Sequence, residues 1–99
     1  MTISVVVTFY NEEDNVDFML EEIVSVLRGI AAEGEILAVN DGSSDKTGER
    51  MQAACLKIPG LKVITHARNL GQSAALWSGL QAATGDFIIT LDGDRQNDF

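Results

Sequence analysis

Cysteine is almost absent from this chain, and so is proline. The one cysteine among 99 residues, Cys55, cannot close an internal disulfide, which fits a reducing compartment. No activating partner stands near it in sequence, so it reads as a small hydrophobe. A single proline together with 45% hydrophobic residues describes a globular domain rather than a disordered segment. Basic residues are also scarce: 7 Lys and Arg face 15 Asp and Glu, for a net charge of -8. This argues against a nucleic-acid backbone or an anionic membrane surface as a direct partner, because both require basic patches. A small anionic ligand stays compatible, since a bound cation inverts the local field. No apolar run approaches the roughly 20 residues of a membrane-spanning helix. The N-terminus has no basic region ahead of its apolar run, so nothing there reads as a signal peptide, and the expected location is cytoplasmic.

Two phosphate-binding signatures are missing as well. No GxGxxG follows the first predicted strand, and GxxxxGK[ST] occurs nowhere. Any phosphate is then expected to be held by a metal ion and an arginine, not by a glycine-rich cradle. The lone histidine, His66, has no second His or Cys close in sequence to complete a zinc site, and reads as a strand-end residue.

What is present is regular. ISVVVTF (about 3–9) is continuous and β-branched, as in a strand buried on both faces. Asn11 offers a helix cap, with Asp14 three residues on. Val16, Met19, Leu20, Ile23, Val26, Leu27 and Ile30 then recur at helical spacing, predicting a helix over about 13–32. EILAVN (about 35–40) is a second strand, DGSSD a turn, and Ser44 or Asp45 caps a helix over about 46–57. LKVITH (about 61–66), a helix over about 72–83, and FIITLD (about 87–92) complete the series. Gly71, Ala74, Ala75 and Gly79 give the third helix a thin face for close packing, with Leu76 and Trp77 expected in the core. Strand and helix alternate three times before a last strand. The expected fold class is α/β: one Rossmann-like, three-layer domain over 1–99, mostly parallel, with helices on both faces of the sheet.

In such sheets ligands gather at the carboxyl ends of the strands. Tyr10, Glu12, Asp41, Asp45, Asp92 and Asp94 all fall at those ends. Two acids at i and i+2 repel unless a cation lies between them, and hard divalent ions prefer such oxygens. Gly93 between them lets a ligand approach the backbone. DGD is equally ordinary turn chemistry. Asp41 suits a ribose or base, or else shapes a turn with Ser43 and Asp45. Tyr10 is placed to stack on a base and Glu12 to accept from a ribose or amine, unless the stretch simply caps a helix. Arg68 is a candidate for phosphate or sugar oxygens, or a plain surface arginine.

The stretches VVVTFYNEE, VNDGSSD, RNLGQSAALWSGLQAATGD and LDGDRQND occur here in the order found in family 2 glycosyltransferases of the GT-A fold, and the resemblance covers nearly all 99 residues. The last stretch, with Gln96 after its acids, looks most like the polyprenyl-phosphate sugar transferases, the dolichol-phosphate mannose synthase group. The resemblance implies a UDP- or GDP-linked sugar donor and a Mg²⁺ or Mn²⁺ ion. It implies a nucleotide pocket lined by Thr8, Tyr10, Glu12, Asp41, Asp92 and Gly93, with Arg68 near it. Asp92 and Asp94 match the family's DxD motif, Asp94 as the direct metal ligand and Asp92 nearer the ribose. Departures are Thr8 where proline is frequent, Asn40 in place of the first of two acids, and Phe99 where proline usually follows.

The resemblance places the catalytic base and the acceptor site after this motif, and no base can be nominated here. The chain is therefore expected to be the donor-binding part of an inverting enzyme acting on a polyprenyl phosphate at the cytoplasmic face of a membrane, without transfer activity alone. Its strand at 87–91, left bare, is expected to support self-association. A non-catalytic nucleotide-binding module is the alternative. A nucleotidyltransferase fits less well, because its loop after the first strand is glycine- and base-rich and here it is YNEED.

Overall fold

A computed structural model describes residues 2–29 and 33–93. Four strands and three helices alternate: β1 (Thr2–Phe9), α1 (Val16–Gly29), β2 (Glu33–Asn40), α2 (Thr47–Cys55), β3 (Leu61–Thr65), α3 (Gln72–Ala82) and β4 (Phe87–Asp92). All pairings are parallel and the strand order is β3-β2-β1-β4. The expected Rossmann-like α/β architecture is therefore the observed one. The chain steps outward from β1 to β3, then returns to place β4 on the other side of β1. Right-handed crossovers put the helices of opposite steps on opposite faces. Accordingly α1 and α2 cover one face and α3 the other.

Strand alternation divides the core. Val5, Val7, Phe9, Ile36 and Ala38 meet Val16, Leu20 and Ile23 of α1 and Met51 and Ala54 of α2. Val6, Leu37 and Val39 are wholly buried on the α3 side with Ala75. Each such aliphatic side chain contributes about 1.5–3 kcal/mol on burial. Gly79 allows α3 to lie close, since a Cβ there would stand 2.3 Å from Val6 Cγ1.

Five expectations are corrected. Helix α1 begins at Val16 rather than near 13; residues 30–32, including Ile30, lie outside the described residues. Asn11 is not its cap: it takes a left-handed φ of 51° and its Oδ1 accepts from the Ser44 N–H at 2.8 Å. The turn before α1 instead closes with Asn15 N–H donating to Glu12 O. Trp77 is 63% exposed and Val26 60% exposed, so neither is core. Trp77 lies two residues from both Ala75 and Gly79, the buried residues of α3, so the helical turn points it away from the sheet. The cap of α2 is Lys46, without a side-chain hydrogen bond, and not Ser44 or Asp45; Asp45 stands one residue earlier and its Oδ1 accepts from the Thr47 N–H at 2.9 Å, shaping the turn into the helix.

Strand β4 forms an edge of the sheet. Phe87, Ile88, Ile89 and Leu91 are each more than a third exposed, and among the described residues no strand pairs with its outer side. No helix among the described residues is long and apolar enough to cross a membrane.

At the amino ends of the strands, Glu35 ties the sheet to the turn before β4. Its Oε2 accepts from Ser4 Oγ at 2.6 Å, from the Thr84 N–H at 2.6 Å and from Thr84 Oγ1 at 2.9 Å, while Oε1 accepts from Lys62 Nζ at 2.9 Å. The Ser4 hydrogen bond, with those of Thr84 and Lys62 and against the opposing effect of burial, lowers its pKa from 4.5 to about 2. A depressed carboxylate stabilises the fold above its unfolded pKa. The contribution, on the order of 2 kcal/mol, is lost as pH falls from the unfolded value through the folded one. Urea unfolding at pH 7 and pH 3 should show this loss, and Glu35→Gln should flatten it. An unchanged pH dependence in the variant rules the assignment out.

Candidate functional site

The order β3-β2-β1-β4 reverses direction at β1, and the strand tips there open a cleft of about 330 Å³. Its lining is Thr8, Phe9, Tyr10, Glu12, Asp41, Asn69, Gly71, Gln72, Ala75 and Asp92. Register explains the convergence. Thr8 is paired with Val39 of β2 and with Asp92 of β4, while Val39 is also paired with Ile64 of β3. Counting by twos along each strand from these partners brings Thr8, Asp41, His66 and Asp92 to the α3 side of the sheet. Helix α3 begins beside them at Gln72, whose Nε2 donates to Asp92 Oδ2 at 3.3 Å.

Tyr10 is 47% exposed at the mouth, its ring available to a flat ligand. Glu12 follows it; its N–H donates to Thr47 Oγ1 at 2.9 Å and its Oε1 accepts from Asn15 Nδ2 at 2.6 Å. The β1–α1 and β2–α2 loops hold each other here. Asn11 N–H donates to Ser43 Oγ at 3.0 Å, and Glu13 N–H donates to Asp45 Oδ2 at 3.4 Å. Asp45 belongs to this brace and not to the cleft lining; burial tends to raise its pKa, but the Thr47 hydroxyl, then the Thr47 and Glu13 N–H groups, bring it below the ordinary value.

Asp41 is 3% exposed at the cleft floor. Oδ1 accepts from the Leu70 N–H at 2.9 Å and lies 2.8 Å from His66 Nδ1; Oδ2 accepts from Asn69 Nδ2 and from the Gly71 N–H, both at 3.0 Å. Burial pushes its pKa up, yet the donors from Leu70, His66 and Gly71 and the charge of His66 outweigh that and hold it below the ordinary value. His66 Nε2 in turn lies 2.8 Å from Ser78 Oγ on α3.

Of the residues singled out from sequence, Thr8, Tyr10, Glu12, Asp41 and Asp92 meet in the one cleft. Arg68 is exposed on the β3–α3 loop and does not line it. Gly93 is buried and is not among the lining residues; a Cβ there would stand 2.4 Å from Phe9 Cδ1, so the absence of a side chain serves packing against Phe9. Asp94 lies outside the described residues, and among those described no three His, Cys, Asp or Glu side chains are grouped to hold a metal. Sequence reasoning missed Asn69, Gln72 and the Asp41–His66–Ser78 chain. For Asn69 and Gln72 a signal was available, since both sit in the RNLGQ stretch that precedes a helix at the carboxyl side of the sheet.

The comparisons with known proteins agree with this fold. A mannosyltransferase from Pyrobaculum calidifontis, solved with GDP-Man and Mn²⁺, superposes with a TM-score of 0.81 at 25% identity, over 93% of this chain and 27% of that one. Glucosyl-3-phosphoglycerate synthase from Mycobacterium tuberculosis, solved with Mn²⁺, UDP and glucosyl-3-phosphoglycerate, superposes with a TM-score of 0.74 at 29% identity, over 94% of this chain and 33% of that one. In sequence, the undecaprenyl-phosphate 4-deoxy-4-formamido-L-arabinose transferase of Pectobacterium carotovorum subsp. carotovorum (strain PC1) is 40% identical over 96 residues, which is 96% of this chain and 29% of that protein. The chain thus spans under a third of the length of this relative. Residues 4–99 match the sequence model of glycosyl transferase family 2, and the chain belongs to that family.

Proposed function

We propose that this chain is the donor-binding part of an inverting glycosyltransferase that takes a nucleotide-diphospho-sugar with a divalent cation and whose acceptor is a polyprenyl phosphate. The observation that carries the reading is the charge of the cleft. Glu12, Asp41 and Asp92 line it, and no Lys, Arg or His does among the described residues. A diphosphate brought against three acids is repelled unless a cation comes with it. Carboxylate oxygens are the donors that Mg²⁺ and Mn²⁺ prefer, usually one or two of them, with the ligand's phosphates completing the shell. The residues present therefore fit such an ion, with Asp94 and Asp92 as its protein ligands. When bound, it supplies charge neutralisation to the leaving nucleoside diphosphate.

The chain's own residues do the rest. Tyr10 stacks on the base at the mouth, where its ring is half exposed. Thr8 and Glu12 offer oxygens along the β1 tip, and Arg68 reaches the phosphates or sugar from outside the lining. Gln72 steadies Asp92 through its amide. The acceptor class rests on the undecaprenyl-phosphate transferase that the sequence resembles. The GDP-Man and the UDP held by the two structural neighbours leave both nucleotides in play.

Calorimetry of UDP and GDP, each with and without Mn²⁺, tests this. Binding should require the metal, and Asp94→Ala should weaken the metal-dependent part by at least about tenfold, or roughly 1.4 kcal/mol. Metal-independent binding, or binding indifferent to Asp94→Ala, overturns the assignment.

A further inference from the structure

Tyr10 and Glu12 line the cleft, and between them stands Asn11 with a φ of 51°, the one non-glycine residue with a positive φ among those described. That conformation is unfavourable for a residue with a side chain and persists where its surroundings enforce it. Here the β2–α2 loop enforces it. The Asn11 N–H donates to Ser43 Oγ at 3.0 Å, and Asn11 Oδ1 accepts from the Ser44 N–H at 2.8 Å. A turn at this position sets the direction in which the chain leaves β1, and so where Glu12 stands relative to Tyr10.

The next two backbone donors also end on the β2–α2 side. The Glu12 N–H donates to Thr47 Oγ1 at 2.9 Å, across 35 positions of sequence, and the Glu13 N–H donates to Asp45 Oδ2 at 3.4 Å. Thr47 is wholly buried and does not line the cleft. Its hydroxyl carries one proton, which goes to Asp45 Oδ1. Asp45 therefore orients the hydroxyl, and the oxygen faces Glu12 only as an acceptor. A loop already held in its binding shape loses less conformational entropy when a ligand arrives.

We propose that Thr47 is a positioning residue for nucleoside recognition: together with Ser43 and Ser44 it holds the turn at Asn11, and so sets Tyr10 and Glu12 for the nucleoside without touching the donor. This deepens the donor-binding reading and rests on it. In that reading the cation and the diphosphate are held from β4, so the two ends of the donor respond separately to a change at Thr47.

Two variants of the 99-residue chain test it. Thr47→Val keeps the branched shape and loses both hydrogen bonds of the hydroxyl; Thr47→Ser keeps the hydroxyl. In Thr47→Val, NMR should show Glu12 amide exchange faster by about tenfold, the equivalent of one lost hydrogen bond, while the Val6 and Val39 amides stay protected. Affinity for UDP or GDP with Mg²⁺ should fall by a similar factor, about tenfold. Inorganic pyrophosphate with Mg²⁺ carries no nucleoside, and calorimetry should show the variant and the unsubstituted protein treating it alike. Thr47→Ser should recover most of the protection and of the affinity. If Thr47→Val fails to fold, Ser43→Ala takes its place: it removes the acceptor of the Asn11 N–H from a loop position, and the same pattern is expected with the Asn11 amide as reporter. Unchanged exchange at the reporting amide overturns the proposal. So does faster exchange with unchanged nucleotide affinity, which reduces the contact to a stability feature. An equal fall in pyrophosphate affinity overturns it too, because the effect is then general to the cleft. If the unsubstituted protein binds neither nucleotide, the donor reading falls and the positioning role with it; Glu12 exchange still decides separately whether Thr47 holds the loop.

Discussion

Gly42→Ala should unfold this domain or lower its melting temperature by more than about 10 °C, a loss of about 3 kcal/mol. Gly42 has a φ of 70°, and a Cβ there would stand 2.1 Å from the Arg68 carbonyl carbon and 2.3 Å from Asn69 N. The left-handed conformation alone costs an alanine about 1–2 kcal/mol. The overlap adds to it, because the atoms in the way are backbone and no rotamer change removes them; overpacking of this kind costs about 1–3 kcal/mol. The strain falls on the junction of the β2–α2 and β3–α3 loops, which forms one wall of the cleft. Two controls separate the causes. Gly71 has a φ of 100° with nothing within 4 Å of a built Cβ, so Gly71→Ala should show the conformational cost only. Gly29, at the end of α1, also has no neighbour within 4 Å and no positive φ, so Gly29→Ala should be close to neutral. Thermal melts of the three should rank Gly42 far below Gly71, and Gly71 below Gly29. Equal melting temperatures for the Gly42 and Gly29 variants would show that the two loops do not meet as described.

Asp41→Ala should be as severe, by a different route. Removing the carboxylate strands the Leu70 and Gly71 N–H groups, the Asn69 amide and His66 at once. Breaking a buried, hydrogen-bonded charge typically costs about 3–5 kcal/mol, a large share of the total stability of a small domain. Asp41→Asn should rescue little, because its NH₂ group turns a donor toward donors. Chemical denaturation gives the comparison directly, and a loss below about 1 kcal/mol for Asp41→Ala would mean that the network is not formed. The same carboxylate adds an acid limit. Its folded pKa is lowered, so its contribution is present above the unfolded carboxylate value and disappears as the pH drops below it.

These two sites mark the boundary between what the residues announce and what they conceal. The β-branched run of β1, the 3.6-residue stripe of α1 and the turn signals at DGSSD and Pro59-Gly60 are local, and each reports its own element. Strand β4 was legible to the residue, Phe87–Asp92. The acids at the strand tips were legible too, because parallel α/β sheets put their carboxyl ends together whatever the side chains are. Trp77 and Val26 misled because helical spacing shows which residues share a face, not whether a further layer covers it. The packing of Gly93 against Phe9 was not legible, because a glycine's freedom and a glycine's missing Cβ look the same in sequence.

The sequence by itself determined the strand–helix order, the fold class and the family, since all three follow from patterns carried within short stretches or in their order. The tertiary structure alone decided register, and register decided which side chains meet at the cleft. It brought Thr8, Asp41, His66 and Asp92, separated by up to 84 positions, to one side of one sheet end. It also set the Leu70 and Gly71 N–H groups, from a loop nearly thirty residues away, on the Asp41 carboxylate. No local pattern encodes that, because such hydrogen bonds depend on where distant segments meet.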